Sequence, residues 1–270
     1  MDIQKVAESI LNSDMNRIRS DNALTPELAG KRIFDLPVIG YGNPKDPYFD
    51  ECQNLCNLKM KPPKEWLPSV RTIISVFFPY SNEMKESSRT NKGGTSYEWM
   101  HVRVDGQALI GKFLKDVKAA LEKEGYEALI PTQDGRFVSS GFKDKSPGIP
   151  EFTSNWSERH VAYAVGLGTF SLTRALITKK GAAGRFGSIV TSMESEFTGC
   201  SCSGLYDNCM ECGACIDKCP VSAITLECGK DNAKCAAHLK RVLDEYNPYY
   251  GCGECQVGVP CESRIPKGRQ

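Results

Sequence analysis

Four cysteines, Cys209, Cys212, Cys215 and Cys219, follow one another as C-x2-C-x2-C-x3-C with Pro220 directly behind. Thiolates at two-residue gaps converge on one iron–sulfur cubane from a single tight turn. The fourth cysteine, after a longer step, points away to a second cluster. The run therefore predicts a second set, and Cys235, Cys252, Cys255 and Cys261 supply it downstream. Crossed ligation assigns Cys209, Cys212, Cys215 and Cys261 to one 4Fe–4S cluster and Cys219, Cys235, Cys252 and Cys255 to the other. The rival reading is a pair of zinc sites. Zinc ribbons, however, use separate C-x2-C knuckles and need no third cysteine followed by Cys-Pro. In the second set, five residues separate Cys255 from Cys261 where three are usual, and Pro260 precedes the last cysteine instead of following it. Cys261 is therefore the loosest fit to the pattern.

The chain has 13 cysteines in 270 residues, and eleven of them lie beyond residue 199. Such clustering, in a chain far longer than disulfide-stapled domains, predicts metal ligands in a reducing compartment and sensitivity to oxygen. The N-terminal residues MDIQKVAESILNS have no basic start leading into an apolar core and no twin arginine. They predict no secretion signal, hence a cytoplasmic protein of an anaerobe. No apolar stretch approaches the ~18 residues of a membrane span. A net charge of +1 makes no electrostatic case for nucleic acid. Cys52, Cys56, Cys200, Cys202 and Cys228 are surplus to the two sets and read as buried or free thiols.

Residues 3–11 place Ile3, Val6, Ala7, Ile10 and Leu11 on one helical face. The stretch from 20 to 68, rich in Pro, Asn and Asp, reads as irregular structure wrapping the core. Val70 to Phe78 is β-branched and aromatic and predicts a buried strand, as does Phe186 to Met193. Ile110, Phe113, Leu114, Val117 and Leu121 form an amphipathic helix stopped by Gly125. Residues 81–98 and 133–150 read as long loops, 128–131 as a short strand, and 157–165 and 233–246 as helices. The composition turns Cys- and Gly-rich near 197, which divides the chain into 1–196 and a cluster-bearing 197–270.

Smaller signals leave alternatives open. Gly166 and Gly168 either cap the preceding helix or let backbone approach a cofactor. Lys179, Lys180 and Arg185, among Gly181 and Gly184, either form a solvated basic loop or neutralise a phosphate- or amide-bearing edge. His160 reads as a structural histidine. No GxGxxG or phosphate-loop lysine is present, so neither nicotinamide nor ATP is signalled.

Several segments run in the order found in epoxyqueuosine reductases. They are LPSVRTIISVFFPY at 67–80, NWSERHVAYAVGLGTFS at 155–171, FGSIVTS at 186–192, CMECGACIDKCPVSAI at 209–224, DNAKC at 231–235 and YYGCGECQ at 249–256. The chain resembles that cobalamin-dependent family, which is related to the catalytic units of reductive dehalogenases. The resemblance implies an α+β fold, with a nitroreductase-like, cobalamin-binding core followed by a ferredoxin-like double 4Fe–4S module. It implies a base-off corrinoid reduced by one cluster, the cofactor doing the hard chemistry. It places Tyr97 and His101 near the corrinoid, Tyr97 as a catalytic candidate. The family's acidic proton donor stands six residues before its Glu-Arg pair. Glu158-Arg159 match that pair, but six residues back is Phe152, which has no proton to give. Aligning LIPTQD at 129–134 with the end of that strand makes Asp134 the acid. The family's tRNA-reading helical tail has no counterpart in this sequence, so tRNA is an unexpected partner.

The resulting expectation is a cobalamin-dependent iron–sulfur reductase acting on a small molecule, fed by a donor such as a ferredoxin or flavodoxin. The rivals are an electron carrier with no substrate of its own and an FMN-dependent reductase.

Overall fold

The computed structural model describes residues 2–55, 59–90, 95–141, 151–199 and 204–268. Its centre is a four-stranded antiparallel sheet. Strands β1 (Val38–Gly42), β2 (Thr72–Pro79), β3 (Ala128–Leu129) and β4 (Gly184–Thr191) lie in the order β1-β2-β4-β3. β2 and β4 pair along their whole length, from Thr72 opposite Thr191 to Pro79 opposite Gly184. Every residue of β2 is buried, as expected for a β-branched and aromatic strand covered on both faces.

Alternation along β2 sorts its side chains into two cores. Ile74, Val76 and Phe78 face helices α1 (Ile3–Leu11) and α3 (Tyr97–Lys123), packing with Ile10, Phe113 and Val117. Ile73 and Phe77 face the other way, toward Trp66, Trp156 and α4 (Glu158–Ala164). The sheet is thus sandwiched between helices. Asp2 caps α1 by accepting from the Gln4 and Lys5 amides, and Ser96 caps α3 through the Trp99 amide.

Two stretches depart from the sequence reading. Residues 81–98, expected as a loop, contain helix α2 (Asn82–Thr90) and the first turn of α3. The polar residues that suggested a loop satisfy one another: Glu98 pairs with Lys31 at 2.7 Å and accepts from the Ser87 hydroxyl at 2.7 Å. Gly93 and Gly94 lie outside the described residues. Helix α3 runs 27 residues, well beyond the predicted 110–121. The wrapping segment 20–68 carries β1, whose pattern Gly40 and Gly42 interrupt, and a helix at Tyr48–Leu55, short and half polar; both were missed. Part of the expected loop 133–150, Ser139–Ser140, pairs with Thr153–Ser154; residues 142–150 lie outside the described residues.

The cysteine-rich segment is knitted into this core. The Ala182 and Ala183 amides donate to the Cys261 and Glu262 carbonyls at 2.8 and 3.0 Å. Burial pushes the Glu262 carboxyl up, but the Arg89 guanidinium, the Gly258 amide and Ser263 outweigh it and hold it at about 2. Gly253, between Cys252 and Cys255, lies flat on the Trp99 ring. A Cβ there would sit 2.2 Å from the indole, so only glycine permits the contact. Helix α5 (Asn232–Tyr246), capped by Asp231, packs Val242 and Tyr246 with Met100 and Tyr249. Among the described residues no helix is long and apolar enough to cross a membrane.

Candidate active site

The eight cysteines of the two predicted sets separate spatially. Cys209, Cys212, Cys215 and Cys261 surround one small apolar recess. Cys219, Cys235, Cys252 and Cys255 line the wall of a much larger cavity, of about 600 Å³. The short turn after Cys212 is made by Gly213 at φ +78, which starts the helix Ala214–Asp217 and aims Cys215 back toward Cys209. The Cys219 sulfur accepts from the Ala223 amide at 3.2 Å. Burial first, and neighbouring thiols second, push Cys215 up to about 11 and Cys252 and Cys261 up to about 12. Metal binding has to displace those protons. Among the described residues no three His, Cys, Asp or Glu side chains converge closely enough to share a single metal ion.

The opposite wall of the large cavity comes from the core. The N-terminal end of β4 contributes Arg185 and Phe186, α3 contributes Trp99 and Arg103, and α4 contributes Glu158 and Arg159. Glu158 is the first residue of α4, directly after Ser157. Both of its carboxyl oxygens are buried with no partner in hydrogen-bonding geometry. Burial raises its pKa to about 7, the nearby Ser188 hydroxyl and amide offsetting only part of the rise. Ser188 is itself held by the Trp156 indole N–H at 2.9 Å. Arg159 donates to the Arg174 carbonyl. Burial lowers its pKa to about 10, helped by the charges of Arg103, Arg174 and Arg185. Arg185 is lowered in the same way and grips the Gln107 side-chain oxygen at 3.0 Å through Nε. Tyr80, buried beside Arg185, has its hydroxyl pushed up by desolvation.

The 4Fe-4S binding domain family matches residues 205–225, which supports 4Fe–4S clusters in this segment. Epoxyqueuosine reductase of Staphylococcus aureus (strain NCTC 8325 / PS 47) is 26% identical over 210 residues, covering 73% of this chain and 50% of that protein. The solved epoxyqueuosine reductase from Streptococcus thermophilus superposes with a TM-score of 0.53 at 20% identity, covering 99% of this chain and 68% of that one. The chain is similar to epoxyqueuosine reductases. A further solved epoxyqueuosine reductase, bound to an epoxyqueuosine-modified tRNA stem loop, aligns at 20% identity and a TM-score of 0.45, covering 83% of this chain and 61% of that one. The chain spans about half the length of the curated relatives it matches.

The residues that the epoxyqueuosine reductase-like pattern singled out fare unequally. Asp134 does not line the cavity. Its carboxylate is clamped by Arg136 through Nε at 2.7 Å, Nη2 at 2.9 Å and the backbone amide at 2.9 Å. Those bonds hold it at about 2, so it carries no proton near neutrality. Arg136 continues to the Glu65 and Trp66 carbonyls, which makes Asp134 an anchor for the 131–138 segment. Tyr97 also lies away from the cavity, 37% exposed, with its ring 5.7 Å from that of Tyr246. His101 is fully buried outside it. Nδ1 meets Asp105 at 2.5 Å, Nε2 accepts from the Leu24 amide at 3.1 Å, and no ring nitrogen is left for a ligand.

Gly166 ends α4 at φ +84 with its amide on the Tyr163 carbonyl, a cap. A Cβ on Gly168 would lie 2.1 Å from the Ile177 carbonyl oxygen, so this glycine serves the hairpin Gly168–Phe170 / Leu176–Thr178. Lys179 and Lys180 are exposed in the turn that follows that hairpin, between Thr178 and Gly181. Arg185 does line the cavity, and Phe152 does too, at φ +61 with the Lys230 ammonium 5.6 Å from its ring centroid. Cys52 is buried in the core, Cys228 is exposed, and Cys56, Cys200 and Cys202 lie outside the described residues.

Glu158 was visible in sequence only as an alignment marker. The available signal was an acid directly after a serine at a helix's N-cap position, on a helix otherwise apolar toward the sheet. Arg103 and Arg174 carried no signal, since each stands among polar neighbours.

Proposed function

We propose that this chain is an iron–sulfur reductase whose reaction takes place in the 600 Å³ cavity. One observation carries the reading: Cys219, Cys235, Cys252 and Cys255 line the same cavity as Glu158, a carboxyl whose pKa lies near neutrality. An electron source and a proton source thus meet at one place. We assign two 4Fe–4S clusters with crossed ligation. The recess cluster, held by Cys209, Cys212, Cys215 and Cys261, is the entry point for a ferredoxin- or flavodoxin-type donor. The cavity cluster is the exit. Two sets of four thiols at ferredoxin spacing suit cubanes, whose corner irons each take one thiolate, better than zinc ions.

The cavity suits cobalamin as its resident cofactor. Trp99, Phe186, Leu176 and Leu239 offer apolar walls to a flat macrocycle, and the arginines offer donors to its amide and phosphate rim. When bound, a corrinoid supplies a strongly reducing cobalt centre. The chain's own residues do the rest. Glu158 holds a proton at its carboxyl oxygen and delivers it as general acid. Tyr80 and Trp156 close the floor against water, and Arg159 stays charged at about 10 to orient the ligand. We assign residues 1–196 to a nitroreductase-like core and 197–270 to the ferredoxin-like module. The antiparallel sheet with helices on both faces supports the first. The substrate class is a small molecule that loses an electronegative group or has an epoxide or alkene reduced. FMN is the second reading, favoured by the arginines, whose charge suits a phosphate.

Titrating the anaerobically reconstituted protein with cob(II)alamin, followed by electron paramagnetic resonance, tests the cofactor. A base-off signal without nitrogen splitting from the chain is expected. His238 is the histidine to watch, since it lines the cavity with an unpartnered Nε2. FMN binding with no cobalamin binding at tens of micromolar makes this a flavin reductase. Cluster-dependent turnover of an epoxyqueuosine-bearing tRNA stem loop, but of no small molecule, overturns the substrate class.

A further inference from the structure

The large cavity holds more positive charge than the protein balances. Arg103, Arg159, Arg174, Arg185 and Lys230 all line it. Among the described residues no ion pair joins any of them to an acid, although all but the exposed Arg174 are half-buried, whereas the chain's other buried or half-buried cations are paired. Lys31 meets Glu98, and Lys85 and Arg89 meet Glu262. The acid nearest to hand, Glu158, keeps both oxygens unpartnered.

The guanidinium groups spend their bonds on neutral atoms. Arg159 donates to the Arg174 carbonyl, Arg185 to Gln107, and Arg103 lies 4.9 Å over the Tyr250 ring with Nη2 3.5 Å from its hydroxyl. Arg174 takes the strained φ of +59, which a side chain other than glycine adopts at a cost. Arg103, Arg174 and Arg185 each depress Arg159, so the four repel one another, three of them half-buried and Arg174 exposed at the cavity's edge. Like charges gathered this way are stabilised by an anion placed between them, and guanidinium forks match the planar or tetrahedral oxygens of carboxylate and phosphate.

Resting on the reading that this cavity is the reaction chamber, we propose that it binds its ligand through an oxyanion, a phosphate or carboxylate, seated among Arg103, Arg159, Arg174 and Arg185. The oxyanion belongs either to the cofactor's tail or to the substrate. The rival account gives the arginines to the cavity cluster, whose thiolate shell is anionic and whose Cys235 acts on Arg159.

The test uses the full chain with its clusters reconstituted, and inorganic phosphate as the probe. Binding is read by calorimetry and by the fluorescence of Trp99 and Trp156. Phosphate should bind saturably. Arg174→Gln should weaken it by about tenfold or more, the scale of a charge-assisted hydrogen bond, and Arg174→Lys should restore most of the loss. Iron content and the cluster resonance signal should not change. Two arms locate the oxyanion. FMN binding at least about tenfold tighter than riboflavin, with phosphate competing, puts it on the cofactor. Phosphate binding undiminished at saturating cobalamin puts it on the substrate. Absence of saturable phosphate binding overturns the inference, as does equal binding by wild type and Arg174→Gln. A variant that shifts the cluster signal at unchanged phosphate affinity also overturns it and favours the rival. None of these readouts needs turnover, so failure here is distinguishable from failure of the reductase reading, which the cobalamin titration decides.

Discussion

Replacing Glu158 by Gln should make the protein more stable above neutral pH and far less active. The carboxyl ionises at about 7 instead of 4.5 because its oxygens are buried without partners. That rise corresponds to roughly 3 kcal/mol. The folded state binds this proton more tightly than the unfolded chain does, so the group's unfavourable effect is absent below pH ~4.5. It grows between pH ~4.5 and ~7, while the unfolded chain has ionised and the folded one has not, and is complete above. Gln keeps the shape and cannot ionise. Its advantage should be under ~1 kcal/mol at pH 5 and should approach ~3 kcal/mol at pH 8.5. In a chain of this size the latter corresponds to a melting temperature higher by roughly 5–10 °C.

Anaerobic thermal unfolding of both proteins at the two pH values gives the comparison. Infrared difference spectra of the carboxyl band give the wild-type pKa directly. Turnover should fall about 100-fold or more, the scale of general-acid catalysis, and the wild-type decline in rate above pH ~7 should vanish in the variant. A carboxyl band titrating near 4.5, or a variant less stable than wild type at pH 8.5, would refute the burial argument. Unchanged turnover would remove Glu158 from the chemistry.

Iron and acid-labile sulfide should each reach about eight per chain, from two cubanes; zinc in place of sulfide, or about four irons, would overturn the two-cubane assignment. Cys219→Ala should damage the cavity cluster of Cys235, Cys252 and Cys255 and spare the recess cluster. One resonance signal without spin coupling is expected, and loss of the recess cluster instead would mean sequential ligation. Asp134→Asn should leave turnover within about twofold of wild type, because its carboxylate is already held by Arg136 and carries no proton near neutral pH. A loss of about 100-fold would return Asp134 to the role of acid.

The elements legible in sequence were those whose burial writes a regular pattern. β2 is apolar along its length because both of its faces are covered, and α1 shows its buried stripe at helical spacing. The segments that were misread hide their burial behind polar residues. Glu98 and Ser88 are buried in or beside α3, but their partners, Lys31 and Ser96, lie far off in sequence or in the preceding turn. The candidate acid shows the same limit. Asp134 and Glu158 are both carboxylates, and only surroundings distinguish them. One has a guanidinium two residues away, and the other is buried at a cavity wall where only Ser188 offsets part of the desolvation.

The cysteine spacing by itself pointed to the kind of chemistry, because three ligands of one cubane come from a tight local turn and that turn is written in nearly consecutive residues. The composition change near residue 197 predicts where the cluster-bearing segment begins. Tertiary structure alone decided which of the cysteines share a cavity with the core. Folding brings Cys219, Cys235, Cys252 and Cys255 to one cavity with Glu158, Arg103, Arg159 and Arg185. The same folding turns His101 and Tyr97 away from it. Charge, burial and proton affinity are properties of such meetings between distant segments, and no single segment of the chain carries them.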